Sequence, residues 1–405
     1  MAATPRVALF PDSFYETNGV ARTVHALVTT AASRALPVLC VHGGTVTRRI
    51  DGAEGERLEL ARSRLSFPLE RDLRHDLLLW RHGRQVLDAV RRFRADVVHV
   101  TGPSDIGQLG MYVAHRLNLP LVASWHTNLH EFAARRIEKR LGFLPHAGRR
   151  RISAWIERRS LWATLQFYRL PSVLLAPNPE LVEFLHRETG APTYLMRRGV
   201  DAVLFSPTKR DVHDGTFRFG YVGRLSSEKN VRVLACIERA LLAAGHHDFR
   251  FLIVGEGGER SWLERQMTRA DFAGELHGES LARAYANIDL LIFPSETDTF
   301  GNVVQEALAS GTPALVSNMG GPKFIVRPGV SGFVASDERS FIEAAEAAMA
   351  DAGRHRAMRE AARRQALAAS WDNVLEEVVE GYEAAIAAAP RIPDRPHAYA
   401  RSNTR

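Results

Sequence analysis

Asp298 and Glu306 stand eight residues apart in PSETDTFGNVVQEALASGTP (294–313), on either side of a Phe300-Gly301-Asn302 step. On an unbroken helix that spacing puts two residues roughly on one face, a little over two turns apart. The Phe-Gly-Asn step is expected to break the path, leaving Asp298 on a loop and Glu306 on the helix that follows, both toward one cleft. A carboxylate in such a cleft accepts two hydroxyl hydrogen bonds, which suits a ribose diol at Glu306 and sugar hydroxyls at Asp298. Gly301 and Asn302 would offer free N–H groups at the helix start, suited to phosphate. The plainer alternative is that both acids only favour the N-terminal half of a helix.

YVGRLSSEKN (221–230) supplies charge of the opposite sign. A strand ends at Gly223, and Arg224 and Lys229 follow on the connection. Beside a helix start the two form a diphosphate clamp, Arg as a bidentate donor and Lys as a point charge. A solvated loop with a Glu228–Lys229 surface pair fits the same residues. FPDSFYETNGV (10–20) places Gly19 at another strand end, just before a helix, where glycine allows close backbone approach to an anion or simply makes a turn. IVGEGGER (253–260) is a third glycine-rich strand end, without the spacing of a dinucleotide site and without a Walker lysine.

These residues need elements to position them, and the chain reads as alternating strands and helices. Strands are expected at 6–12, 36–42, 95–103, 119–127 and 172–181, then at 217–224, 249–257, 288–296, 312–318 and 331–336. Helices are expected at 17–33 and 105–118, and near 229–245, 259–270, 279–287 and 302–310. Two such sets predict an α/β protein of two doubly wound domains, with a boundary at 195–215. Ligands bind at the carboxyl ends of strands in such sheets, where the glycines and charges lie. SWDNVLEEVVEGYEAAIAAA (370–389) reads as a last amphipathic helix. The proline-containing tail from 390 reads as disordered.

Composition narrows the function classes. Of 405 residues 45% are hydrophobic and 24% charged, as in ordinary globular chains. Two cysteines, Cys40 and Cys236, exclude a disulfide framework and a cysteine-rich zinc site, so a cytoplasmic protein is expected. The apolar run Val7–Phe10 is too short for a signal peptide, and no stretch approaches the ~18 apolar residues of a membrane span. Residues 1–200 carry 29 Lys and Arg against 18 Asp and Glu; residues 201–405 carry 24 against 28. The basic half lacks any aromatic-interleaved basic motif or zinc-finger spacing, so no nucleic-acid partner is expected. An anionic membrane surface or a phosphorylated acceptor fits it. Segment 131–160 holds nine Arg or Lys among Phe132, Ile152, Trp155 and other apolar residues, and reads as a peripheral membrane element or as a helical hairpin packed on the core.

Taken jointly, NGV (18–20), RGVD (198–201), GRLSSEKN (223–230) and the acids before EALASGTP (306–313) resemble the GT-B glycosyltransferases of the large retaining family 4. The DTFGN stretch resembles bacterial mannosyltransferases and sulfolipid or glycolipid synthases. The resemblance implies two Rossmann-like domains around a cleft: an acceptor-binding domain over 1–195, a sugar-nucleotide domain over 196–370 and a helix, 371–389, crossing back. It implies that Arg224 and Lys229 clamp the diphosphate, Glu306 holds the ribose, Asp298 contacts the donor sugar and Gly19 lies next to the phosphates. His126, in SWHTN, falls where the family often has a histidine near the donor sugar; a buried, hydrogen-bonded strand-end histidine is the alternative. Two departures stand out. The first acid is Asp298 where the family has Glu, with Glu296 two residues earlier. Arg197-Arg198 precedes GVD where the family has Pro-Asn.

The implied activity is retaining transfer of a hexose, mannose among the candidates, from a nucleotide-diphosphate sugar (GDP-mannose or a UDP-sugar) to a lipid-linked or saccharide acceptor. No cofactor is implied. The Arg-Lys clamp and the helix start at 301–303 supply the positive field that a leaving diphosphate needs, so no metal is required, and no Asp-x-Asp metal motif is suitably placed. A sugar-nucleotide epimerase and a non-catalytic nucleotide- or carbohydrate-binding protein are the competing readings.

Overall fold

A computed structural model describes residues 4–16, 19–52, 55–70, 73–126 and 146–389. The first set of strands comprises β1 (Val7–Phe10), β2 (Val38–Gly44), β3 (Arg48–Gly52), β4 (Gly55–Ala61), β5 (Ser66–Glu70), β6 (Leu73–Asp76), β7 (Val97–Val100), β8 (Leu121–Ser124), β9 (Val173–Ala176) and β10 (Thr193–Leu195). Eight of them form one sheet in the order β10-β9-β8-β7-β1-β2-β4-β3, parallel except for edge strand β3, while β5 and β6 pair apart as a small hairpin. The second set comprises β11 (Phe217–Val222), β12 (Phe249–Val254), β13 (Ala270–Gly274), β14 (Leu290–Phe293), β15 (Ala314–Ser317) and β16 (Gly332–Ala335). It forms a six-stranded parallel sheet, β13-β12-β11-β14-β15-β16.

The strand sequences explain their depth. Every residue of β1, β7, β9, β14 and β15 is buried, as expected where helices cover both faces of a parallel sheet. Helix starts carry their own signals. Ser104 accepts from the Gly107 amide ahead of Asp105–Leu117, and Asn178 accepts from the Leu181 amide ahead of Pro179–Thr189, whose first position is proline.

The fold is α/β, with two Rossmann-like domains. The two sheets keep separate cores. The last helix, Trp371–Ala388, joins the core of the first: Val374, Leu375, Val378, Tyr382 and Ala385 pack with Val7, Leu9, Val24 and Val173. It meets the outgoing crossing at Gly199, where an added Cβ would lie 2.6 Å from the Trp371 ring.

Several elements differ from the sequence expectation. The helix expected near 259–270 ends at Gln266, and β13 follows at Ala270–Gly274. Helix 229–245 starts at Val233, because Ser227–Lys229 form a separate short turn closed by Asn230 at φ +54°. Strands β3 to β6 and the helices Glu338–Ala350 and Ala352–Leu367 fill stretches with no expected element. Of the basic segment 131–160, residues 131–145 lie outside the described residues, as does the tail from 390. The remainder belongs to the helix His146–Tyr168, which exposes Ile152, Trp155 and Trp162. Among the described residues no helix is long and apolar enough to cross a membrane.

Candidate active site

The loop after β14 and the helix Asn302–Ala309 carry the two acids, and the break between them falls where the Phe-Gly-Asn step predicted it. Gly301 caps the helix at φ +106°, a conformation that disfavours other residues. The loop is pinned from behind, since the Gly321 amide donates to the Asp298 carbonyl at 2.7 Å. It is pinned from across the cleft as well: Thr299 Oγ1 donates to the His126 carbonyl at 2.8 Å, and Asn178 Nδ2 donates to the Thr299 carbonyl at 2.7 Å. Asn178 is therefore both a helix cap in the first domain and an anchor for the acid loop of the second.

Asp298 and Lys229 meet. Lys229 Nζ donates to both carboxylate oxygens, at 2.8 and 2.6 Å, with the two side chains 19% and 25% exposed. A pair at that depth is accessible enough to be parted by a ligand and dry enough to be stronger than a surface ion pair. Arg224 follows Gly223, and its carbonyl accepts from the Tyr221 hydroxyl at 2.8 Å. The GEGG stretch lies directly against this loop. The Leu225 amide donates to the Glu256 carbonyl and the Glu259 amide to the Leu225 carbonyl, both at 2.9 Å. A Cβ at Gly255 or Gly257 would collide with the carbonyl of Gly223 or of Leu225. Those glycines are thus accounted for by loop-on-loop packing, which shapes the loop that carries Arg224.

Glu306 is buried at 6% exposure, and both of its oxygens are engaged. Arg22 Nη1 donates to Oε1 at 2.7 Å and the Tyr285 hydroxyl donates to Oε2 at 2.9 Å. Burial pushes the carboxyl above its ordinary range, while Arg22 and Tyr285 pull it back. Neither partner was singled out in the sequence. Arg22 had one available signal, its place three residues beyond Gly19 on the helix Gly19–Ser33, hence on a shared face. Gly19 itself sits against Asn302: an added Cβ would lie 3.3 Å from Asn302 Nδ2. The structure thus brings together Gly19 with Asn302, Lys229 with Asp298, and Glu306 with the first domain.

His126 follows β8. Its Nε2 lies 2.7 Å from Ser124 Oγ and its Nδ1 lies 2.7 Å from Arg198 Nη2. Burial and the Arg198 charge hold the imidazole well below its usual pKa. Arg198, one of the two departures from the family pattern, is 5% exposed and also donates to the Met196 and Arg197 carbonyls.

Asp12, at the end of β1, is a further titratable group that the sequence did not flag. Ser104 Oγ donates to its Oδ1 at 2.5 Å, and burial pushes its carboxyl up to about 7, with Asp105 adding to the effect. No motif marks it, because its environment is assembled from β1, the loop after β7 and the next helix start.

Comparison with known proteins identifies the family and the fold. Residues 17–204 match the profile described as Glycosyltransferase Family 4, and residues 216–351 match that of Glycosyl transferases group 1. A GDP-mannose-dependent alpha-mannosyltransferase of Mycolicibacterium smegmatis is 33% identical over 315 residues, 75% of this chain and 77% of that one. A protein of the same description from Mycobacterium tuberculosis is 34% identical over 310 residues, 74% and 76% of the two chains. Among solved structures, a sucrose-phosphate synthase of Thermosynechococcus elongatus superposes with TM-score 0.70 at 18% identity, over 95% of this chain and all of that one. At that identity the likeness shows the fold, which is GT-B. Domain profiles over both halves and relatives of this identity and coverage place the chain in the group 1, family 4 glycosyltransferases, and it is a glycosyltransferase.

Proposed function

We propose that the protein is a retaining, metal-independent hexosyltransferase that moves mannose from GDP-mannose to a lipid-linked or saccharide acceptor. The observation that carries this reading is the pairing of Lys229 with Asp298 at the mouth of the cleft, beside the Gly301-capped helix whose Glu306 is held by the first domain. Mannose and the guanine base rest on the relatives, whose descriptions specify that donor.

In this reading the chain works by positioning and charge. Arg224 and Lys229 bind the diphosphate, the amides at the start of Asn302–Ala309 add positive field, and Glu306 accepts the ribose hydroxyls. Lys229 leaves Asp298 as it takes the phosphate, which frees Asp298 for the sugar hydroxyls. The C1–O bond to the diphosphate breaks while the acceptor oxygen bonds to C1 on the same face. The acceptor's proton passes to an oxygen of the departing phosphate. Residues 196–370 serve the donor and residues 1–195 the acceptor.

The test is a thermal-shift series with GDP, UDP and ADP in EDTA. The expected result is a shift with GDP alone, unchanged by EDTA; at 100 times its dissociation constant a ligand stabilises by about 2.7 kcal/mol. A shift with UDP alone would replace the donor. A shift that requires Mg²⁺ would overturn metal independence, and none with any nucleotide would overturn the site.

The acceptor reading has its own test. The helix His146–Tyr168 presents exposed Trp155 and Trp162, with Arg159 stacked 5.0 Å from the Trp162 ring. Basic residues near an anionic surface contribute about 1 kcal/mol each. The protein is expected to float with phosphatidylglycerol vesicles and not with phosphatidylcholine vesicles. Flotation indifferent to anionic lipid would remove the membrane surface from the proposal.

A further inference from the structure

His126, itself half-buried, is one link in a chain of five side chains whose other four members are buried. Arg198 Nη2 meets His126 Nδ1 at 2.7 Å, His126 Nε2 meets Ser124 Oγ at 2.7 Å, Ser124 Oγ meets His99 Nε2 at 2.9 Å, and His99 Nδ1 meets the Tyr382 hydroxyl at 2.8 Å. Guanidinium only donates, so His126 Nδ1 must present its lone pair. The ring is then neutral, with its single proton on Nε2, donated to Ser124 Oγ. The Ser124 hydroxyl in turn donates its hydrogen bond to His99 Nε2, and His99 donates from Nδ1 to the Tyr382 oxygen. Every link is satisfied in this one direction. A second proton on His126 would set N–H against N–H at Arg198.

The surroundings reinforce that order. No carboxylate among the described residues pairs with Arg198, whose other bonds go to backbone carbonyls, so its charge stands unneutralised beside the ring. Among the described residues, two further titratable groups near the chain are Tyr168, whose hydroxyl donates to the Ser124 carbonyl, and Asp12, which lies near Tyr168. The two ends of the chain are on the two crossings between domains: Arg198 on the segment leaving the first domain, Tyr382 on the helix returning to it. The crossings touch where Gly199 packs on Trp371. On the other side, the His126 carbonyl holds Thr299, next to Asp298.

We infer that Arg198 is a positioning residue for sugar transfer: it fixes His126 in the cleft as the neutral, Nε2-protonated tautomer, so that the ring orients the donor loop and does not exchange protons with substrate. The inference deepens the proposed function and rests on the reading that places His126 beside the donor sugar.

The test uses the full-length protein with ¹⁵N-labelled histidine. Long-range ¹H–¹⁵N spectra from pH 5 to 8 report tautomer and charge, and the His126 signals are assigned by their loss in His126→Asn. The expected wild-type result is an Nε2-protonated ring that does not titrate. In Arg198→Met the ring takes up a proton within that range or mixes tautomers, and kcat with GDP-mannose falls roughly 10- to 100-fold at unchanged KM, the scale expected when a site is misplaced by about an ångström. Arg198→Lys, which keeps a donor, restores the tautomer and part of kcat. A wild-type ring protonated on Nδ1, or one that titrates in this range, overturns the inference, and this holds even if Arg198→Met does not fold. So does an Arg198→Met enzyme with unchanged tautomer and kcat. A wild-type protein with the expected tautomer but no turnover of GDP-mannose would sink the donor assignment alone; the kcat comparison is then made with the nucleotide sugar that raises its melting temperature.

Discussion

Arg224→Ala and Lys229→Ala are each expected to slow sugar transfer by about 10²- to 10³-fold while leaving the fold intact, as measured by turnover at saturating donor beside circular dichroism and melting. The size follows from the role proposed for the two groups. The diphosphate gains negative charge as the C1–O bond breaks, and a fixed donor aimed at developing charge is worth about that factor. The tolerance of the fold follows from where they sit. Arg224 and Lys229 lie on the connection after β11, outside the apolar core of the second domain. Removing Lys229 strands Asp298, but that carboxylate is 25% exposed and rehydrates. Asp298→Asn separates the two roles of the pair. It leaves the diphosphate clamp in place, so nucleotide binding should persist while transfer falls. Near wild-type turnover in both Arg224→Ala and Lys229→Ala would discard the clamp.

Arg224 and Lys229 could be named as candidates from the sequence because charge and glycine at a strand end are visible without coordinates. The pairing of the site's residues could not be read the same way. Lys229 and Asp298 are 69 residues apart, and Arg22 and Glu306 are 284 apart. A sequence shows where strands end; it does not show which ends face each other, within one sheet or across two domains. The same limit applies to His126, whose type and place suggested a polar anchor but whose two ring contacts depend on a linker arginine 72 residues away. In the fold, the continuous apolar strands were readable because burial on both faces leaves no alternation to confuse. Edge strand β3, with the sequence RRIDG and mostly exposed, has no apolar run to find. The helix Ala352–Leu367 buries only Met358, Ala362 and Ala366, so small residues carry its seam and its periodicity is faint.

Glu306→Gln is expected to move stability and binding in opposite directions. Burial holds the Glu306 carboxyl above its ordinary pKa, so the folded protein retains a proton over a pH window in which the unfolded chain has lost it. Wild-type stability therefore falls as pH rises through that window, and the loss is complete above the folded value. Glutamine has no charge to bury. Its carbonyl accepts from Arg22, its amide donates to the Tyr285 oxygen, and its volume is unchanged. Ligand-free Glu306→Gln should melt higher than wild type at pH 8, with the difference closing as the pH is lowered. Nucleotide affinity should drop about 10- to 100-fold, since the ribose diol loses one charge-assisted acceptor and meets an N–H in its place. In the proposed site Arg22 would make this exchange workable in the wild type. At 52% exposure it can leave Oε1 for solvent at little cost when the ribose arrives. Unchanged nucleotide affinity in the variant would remove Glu306 from the ribose site. A lower melting point at pH 8 would show that the Arg22 and Tyr285 bonds outweigh desolvation, and that the acid is there to join the two domains rather than to wait for a ligand.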